Sequence, residues 1–257
     1  MQTISIHNGV FGYANKKEKT TVLQKVNLSL EKGKLIALIG ENGAGKSTFL
    51  KTISGLLPTL EGEININNQS LSSYSALELA QEMSLVLTDS LPASQLTVYE
   101  LVALGRQPYT NWLGKQSQLD KEKINDALLA TGAAAYQHKK HTEISDGQLQ
   151  KALISRALAQ DTSIIILDEP STHLDLVNKV QLIKLLKELA QTTQKTILFS
   201  THDVDLAIQL SDEMLVVLNQ EIVQDTPCKL IENGVFEQLF KNENIVFDAA
   251  LGKFKVI

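Results

Sequence analysis

One cysteine, Cys228, is all the chain has. An intrachain disulfide framework and a cysteine-based zinc site are therefore excluded, and a reducing compartment is the natural setting. Long apolar runs are missing too. No segment approaches the ~18 continuous apolar residues of a membrane span, and the N-terminus lacks an apolar stretch of signal-peptide length. Internal repeats and low-complexity tracts are absent. Excess positive charge is absent as well: the net charge is −5 and the pI about 5.6, which argues against a nucleic-acid partner. With 43% hydrophobic and 21% charged residues, the 257-residue chain has the profile of a soluble globular protein with a substantial core. Any membrane role is expected to run through a partner.

What is present begins with Gly40-Glu41-Asn42-Gly43-Ala44-Gly45-Lys46-Ser47, a complete phosphate-binding loop of the form GxxxxGK[ST]. It follows the apolar run Leu35–Ile39 and opens a helix-like segment, Lys46 to Ser54. Strand, glycine loop and helix form the context this motif requires. The glycines let backbone amides point at one centre and form a nest for anionic oxygens. The helix start adds about half a positive charge there. Lys46 is expected to reach the β- and γ-phosphates of a nucleotide, and the Ser47 hydroxyl to hold Mg²⁺. Glu41, Asn42, Ala44 and Thr48 fall within or beside the loop and belong to the same binding set.

Further apolar runs at 164–167, 197–199 and 214–218, rich in Ile, Leu and Val, read with 35–39 as buried parallel strands. Ile4 and Ile6, and Val26, Leu28 and Leu30, alternate as half-buried strands do. Ile64-Asn65-Ile66 followed by Asn67-Asn68 predicts a small hairpin. Leu182, Leu185, Leu186 and Leu189 make one helical stripe. From about Thr97 to Gln160 the pattern is helical without a clear strand, so this stretch is expected to form a separate lobe. The fold class is α/β: a P-loop core with an antiparallel β subdomain and a helical subdomain at about 97–160, in one domain spanning 1–257. Residues from about 224 onward read as a short tail packed on the core.

Ile164–Leu167 ends in Asp168-Glu169, at the carboxyl end of a buried strand where open α/β sheets place their ligands. Asp168 is suited to bind Mg²⁺, and Glu169, projecting differently, to polarise a water against the γ-phosphate. The bland alternative is an acidic strand end with Pro170 starting a loop. A phosphate loop upstream favours the functional reading.

Taken in order, these motifs resemble the nucleotide-binding subunit of ABC transporters, over roughly Ile4 to Val223. Ile144-Ser145-Asp146-Gly147-Gln148 resembles the family's signature, with Ser145, Gly147 and Gln148 as its binding residues. The resemblance implies that it binds the γ-phosphate of a nucleotide held by the opposite subunit. Asp146 stands where the family commonly has glycine, and it is expected to point away from the nucleotide and cap the helix. His202 resembles the switch histidine that contacts the γ-phosphate and orients Glu169. Ser171–Asp175 resembles the loop crossing the dimer interface, with a helix cap before Leu176 as the plainer reading. Tyr13 resembles the aromatic that stacks on adenine, with Phe11 as its competitor. The family's glutamine at the next strand end is missing, and its position falls on Thr88, whose oxygen makes it a candidate cation ligand with a shorter reach.

The run Thr97-Val98 through Gly105-Arg106-Gln107-Pro108-Tyr109 resembles importers of iron–siderophore, haem and cobalamin complexes. Its plain alternative is a helix stopped near Gly105 and punctuated by Pro108. The resemblance implies ATP and Mg²⁺ as ligands and a head-to-tail homodimer. It also implies integral membrane permease subunits as partners, a substrate-binding protein acting indirectly, and a peripheral place on the cytoplasmic face of the membrane. Two alternatives stand beside this importer ATPase: an ATP-binding switch with weak hydrolysis, to which Thr88 and Asp146 point, and a non-transport ABC ATPase. The second usually carries coiled-coil insertions, zinc motifs or tandem cassettes, which are not seen here.

Overall fold

The structure, a computed structural model, describes residues 1–14, 18–87, 94–110, 114–239, 245–249 and 251–256. The chain opens with β1 (Gln2–Ala14), β2 (Lys19–Glu31) and β3 (Leu35–Gly40), and then forms the glycine loop and α1 (Lys46–Ile53). Next come β4 (Glu61–Ile66), β5 (Gln69–Ser70), α2 (Ala76–Glu82) and β6 (Met83–Val86). The helical stretch holds α3 (Val98–Ala103), α4 (Gln118–Thr131) and α5 (Asp146–Ala159), with 3₁₀ turns between them. β7 (Ile164–Leu167), α6 (Leu176–Thr193), β8 (Thr196–Ser200), α7 (Val204–Leu210), β9 (Glu213–Leu218) and β10 (Glu221–Asp225) complete the core. α8 (Pro227–Glu232), β11 (Ile245–Asp248) and β12 (Lys253–Val256) follow.

Two sheets carry the architecture. The larger has the order β10-β9-β3-β8-β7-β6, parallel except that β10 runs antiparallel to β9. The smaller, β2-β1-β4-β5, is antiparallel throughout. The apolar runs are continuous because both faces of the large sheet are covered. Leu35, Ala37 and Ile39 of β3 enter one core with the helices, while Ile36 and Leu38 enter a second with β1, β2, β4 and α1. That alternation is the two-residue period of a strand. Asn67 and Asn68 turn the β4–β5 hairpin with φ of 48° and 66°, the left-handed pair that a tight hairpin needs.

The two sheets are stitched by polar contacts. Thr196 Oγ1 donates to Glu31 O at 2.9 Å, and Gln224 Nε2 donates to Ser29 O at 2.6 Å. Gln224 lies in β10, which ends at Asp225. Beyond β10, Phe236 packs against Phe247 and both are buried.

In the helical lobe the run Gly105–Tyr109 acts as a lock. α3 ends at Ala103, near Gly105 as the plain alternative has it, and the chain continues as a 3₁₀ helix over Leu104–Tyr109 that includes Pro108. A Cβ on Gly105 would lie 2.2 Å from the Arg156 carbonyl oxygen, so only glycine allows this approach to α5. Arg106 is buried, donates to Asp120 Oδ1 and Ala159 O at 2.8 Å each, and lies 4.0 Å over the Tyr109 ring. Burial would raise the Asp120 carboxyl, but hydrogen bonds from Ser117 and the Arg106 guanidinium outweigh it and hold its pKa below the usual carboxylate value.

Candidate functional site

Parallel strands end together. Leu38 pairs with Ser200, Leu167 with Phe199, and Val86 with Leu167, so β3, β8, β7 and β6 finish on one edge. The phosphate loop leaves β3 there, Asp168-Glu169 leaves β7, and Thr201-His202 leaves β8. Thr88, past the end of β6, lies outside the described residues.

Gly45 caps α1 with φ of 108°, and no side chain caps the helix. A Cβ there would meet Val22 Cγ1 at 2.5 Å, so the position is closed to other residues on two counts. The first turn of α1 contains no acid, which leaves its amides and its dipole for an anion. Ser47, Glu41, Asn42 and Gly43 are exposed on the open side. Lys46 is buried, and its Nζ donates to Gly40 O at 2.8 Å and to Glu41 O at 3.2 Å. Burial pushes its pKa down, and the Glu169 and Asp168 carboxylates pull it part of the way back. The ammonium is thus desolvated before any phosphate arrives.

The two acids are held differently. The Asp168 amide donates to Val86 O at 2.8 Å, and its Oδ1 accepts from Ser200 Oγ at 2.6 Å. Glu169 takes φ of 48°, a left-handed conformation that costs a non-glycine residue about 1–2 kcal/mol. Its amide donates to Ser200 Oγ at 2.8 Å, and Thr172 Oγ1 donates to its carbonyl at 3.0 Å and to Oε2 at 3.2 Å. His202 Nε2 faces Glu169 Oε1 at 2.5 Å. Lys179 bridges to Asp203 at 3.0 Å and so ties α6 to the turn that carries His202.

Tyr13, 47% exposed, reaches Thr48 Oγ1 through its hydroxyl at 3.0 Å. Phe11 is fully buried against Phe49 and is core. Of the two aromatics Tyr13 is the exposed one.

The signature segment stands apart. Ser145 is the N-cap of α5, forming a capping box with Gln148, and Asp146 is the first helical residue after it. The expectation that Asp146 caps the helix is thereby corrected, because the serine oxygen reaches the third amide and Asp146 sits exposed in the first turn. The side-chain hydrogen bonds of Ser145 and Gln148 run to each other's backbone amides, the Tyr136 hydroxyl donates to Gln148 O, and no hydrogen bond among the described residues joins them to the phosphate loop. Gly147 lies against Leu174 and Asn178. Asp175, the N-cap of α6, accepts from the Asn178 amide at 2.8 Å and from its Nδ2 at 2.9 Å.

Sequence reasoning missed Ser200 and Thr172, whose hydroxyls hold the acidic pair. Ser200 is fully buried at the end of an apolar strand, and a polar residue there was the available signal. It also missed an apolar cleft of about 990 Å³ between the end of α1, the β4–β5 hairpin and α2, lined by Leu56, Leu57, Ile64, Leu71, Leu79 and Met83.

A phosphate loop and an acidic pair on the carboxyl edge of a parallel sheet, with an antiparallel sheet and a helical lobe attached, define a phosphate-loop nucleoside triphosphatase. The family model described as ABC transporter matches residues 23–172, and an AAA-domain model matches residues 139–208. The iron(3+)-hydroxamate import ATP-binding protein FhuC of Bacillus subtilis (strain 168) is 32% identical, over 98% of this chain and 93% of its own. Among solved structures, an inward-facing transporter assigned to the metal-chelate type superposes with a TM-score of 0.80, 27% identity and coverage of 93% and 89% of the two chains. The ATP-binding cassette MJ0796, dimeric and bound to ADP and Pi, superposes with a TM-score of 0.73, 26% identity and coverage of 87% and 98%. The chain belongs to the family of ABC transporter ATP-binding subunits, which bind and hydrolyse ATP.

Proposed function

We propose that this chain is the ATP-hydrolysing subunit of an importer that takes up a metal chelate: an iron–siderophore, haem or cobalamin complex. The observation that carries the reading is the split site. Lys46, Asp168, Glu169 and His202 share one edge, while the signature residues Ser145, Gly147 and Gln148 present a second helix N-terminus on a different lobe. One chain supplies half of the contacts a triphosphate needs, so two copies facing head to tail complete two sites. ATP then closes the dimer because only the triphosphate joins both halves, and hydrolysis releases it.

Within each site Lys46 and the loop amides from Gly40 to Thr48 hold phosphate charge, and Tyr13 stacks on the base. Glu169, aimed by His202 and Thr172, takes the proton of the attacking water. The oxygens of Ser47 and Asp168 suit Mg²⁺, which supplies charge neutralisation at the phosphates. Among the described residues no cluster of three or more His, Cys, Asp or Glu gathers to hold a metal, as fits a cation ligated largely by phosphate and water. Thr88 remains a candidate oxygen ligand by sequence.

Among the described residues no helix is long and apolar enough to cross a membrane. Family membership supports peripheral attachment beside separate permease subunits, and the reading extends it to the cytoplasmic face and to a substrate-binding protein that serves them. The relation to FhuC supports the cargo class. The test is Mg-ATP hydrolysis across protein concentrations, with Lys46→Ala as control, together with co-purification of a membrane subunit. Specific activity that rises with concentration and vanishes in the control supports composite sites. Activity independent of concentration refutes them.

A further inference from the structure

Two residues near the acidic pair sit against their local preferences. Asp203 is the N-cap of α7, where an Asp carboxylate ordinarily accepts an amide of the first turn, yet its side chain makes no capping bond. Lys179 is the fourth residue of α6, at the end of a first turn whose dipole disfavours positive charge. Each exception meets the other. The Lys179 ammonium donates to Asp203 Oδ1 at 3.2 Å and lies 3.0 Å from Oδ2, so both carboxylate oxygens face one lysine. Two local rules are broken for one contact between separate elements, which is the pattern of a functional position. The contact closes a ring around Glu169. One arm is the turn after β8. There His202 Nε2 stands 2.5 Å from Glu169 Oε1, the Asp203 amide donates to Thr201 Oγ1 at 3.0 Å, and the Val204 amide donates to His202 O at 3.0 Å. The other arm is the loop before α6. There Thr172 Oγ1 donates to Glu169 Oε2 at 3.2 Å, and the carbonyl of the N-cap Asp175 accepts the Lys179 amide at 2.9 Å.

We infer that Lys179 is a positioning residue: through Asp203 it holds the turn that keeps His202 on Glu169. The inference rests on the reading of Glu169 as the base and of His202 as the group that aims it. Lys179 belongs by its backbone to the arm that holds one Glu169 carboxylate oxygen, and by its side chain it grips the arm that holds the other. The His202 side chain is 46% exposed, so packing does not fix its ring, and the turn that carries it sets its direction. Asp203 is the next residue of that turn. The ammonium meets Asp203 rather than the acidic pair, so its removal loosens the aim of the base and leaves the base in place. The phosphate loop and Tyr13, which hold the nucleotide, are untouched. The loss therefore falls on turnover and not on ATP binding.

The test is steady-state Mg-ATP hydrolysis in a double-mutant cycle, with thermal unfolding and the imidazole NMR signals of the nucleotide-free chain recorded for each variant. Lys179→Met keeps the length of the side chain and removes its charge, and Asp203→Ala removes the acceptor independently. Each is expected to lower kcat about 10–100-fold, the scale of a small misplacement at a reacting centre, and to leave KM within about twofold. Lys179→Arg keeps the charge and should return kcat toward the wild type. In a His202→Ala background Lys179→Met should change kcat by less than about twofold, because the group it positions is gone. A role confined to stability does not produce that dependence. In the NMR spectra Lys179→Met should move the His202 signals toward the positions they take in Glu169→Gln, and this readout decides alone where turnover is too slow for the cycle. An unchanged kcat in Lys179→Met, an equal loss with and without the histidine, or unmoved His202 signals would each overturn the inference, while the reading of Glu169 and His202 stands. If His202→Ala itself leaves turnover normal, that reading falls and takes the inference with it. Loss of the fold in both Lys179→Met and Asp203→Ala would mark the pair as structural and would equally overturn the inference.

Discussion

Replacing Lys46 by methionine separates the cost of burying its charge from the use of that charge. In the free protein the ammonium is buried against two carbonyl oxygens, and burial depresses its pKa despite the nearby Asp168 and Glu169. A lysine whose folded pKa lies below its unfolded value costs stability at every pH below the folded value, because the charged form is the one that folding disfavours. Lys46→Met, similar in length and apolar, is therefore expected to leave the melting temperature of the free protein unchanged or raised. ATP reverses the comparison. At a hundredfold excess over Kd, ATP stabilises the wild type by about 2.7 kcal/mol, which corresponds to roughly 5–10 °C at about 2–4 °C per kcal/mol for a chain of this size. A charge-assisted hydrogen bond is worth about 1.5–3 kcal/mol, and the upper value applies to an ammonium already stripped of water. Losing it weakens binding ~100-fold. The same ATP concentration then stabilises the variant by about 0.4 kcal/mol, a shift of about 1 °C. Differential scanning fluorimetry with and without ATP reads both halves. A variant that melts several degrees lower without ATP yet keeps the full ATP shift would refute the reasoning.

Glu169→Gln keeps the shape of the side chain and removes the base. Steady-state turnover should fall by ~10²–10⁴ while the ATP-induced melting shift survives, and normal turnover would remove Glu169 from its role. Arg106→Leu leaves Asp120 buried without its guanidinium, which should cost about 3–5 kcal/mol in urea unfolding. Because the folded pKa of Asp120 is depressed, the wild type gains stability from this site above the ordinary carboxylate range and loses it as pH falls through the folded value. Asp120→Asn should flatten that acid limb in urea titrations across pH. Gly105→Ala meets the Arg156 carbonyl at 2.2 Å and should cost about 1–3 kcal/mol through overpacking, measured by the same unfolding assay.

The contacts above divide by distance along the chain, and that division explains what sequence could reveal. Wherever a function is local, the residues announce it. The phosphate loop needs glycines and a lysine at fixed spacing, since consecutive backbone amides do the work. The Asn67-Asn68 turn is legible because left-handed φ selects the residue type. The Ile-rich runs are legible because a strand covered on both faces is built mostly of apolar residues. Ser145 and Asp146 show where local reading blurs. Both residue types suit a helix start, and a one-residue shift in the boundary decides which side chain reaches the third amide.

Contacts between distant segments are silent in the sequence. Ser200 and Asp168 are far apart along the chain, and they meet only because β8 lies beside β7 in a sheet whose order departs from chain order. A serine ending an apolar strand reads as a boundary, and nothing beside it in the chain names the carboxylate it serves. Phe11 and Tyr13 differ by one strand period and look equivalent until β1 is placed. Phe11 then lies on Phe49 while Tyr13 lies at the open edge beside Thr48. Gly105 reads only as a helix stop until α5 is brought within reach of it and gives the glycine a second reason. In each case the residue type is set by a neighbour supplied by topology. The left-handed backbone of Glu169 belongs with these, because its local cost is met by two hydroxyls, one from the next strand and one three residues on. Residues that hold the acidic pair are therefore to be sought at the ends of the strands flanking it, where a buried hydroxyl has no local reason to be.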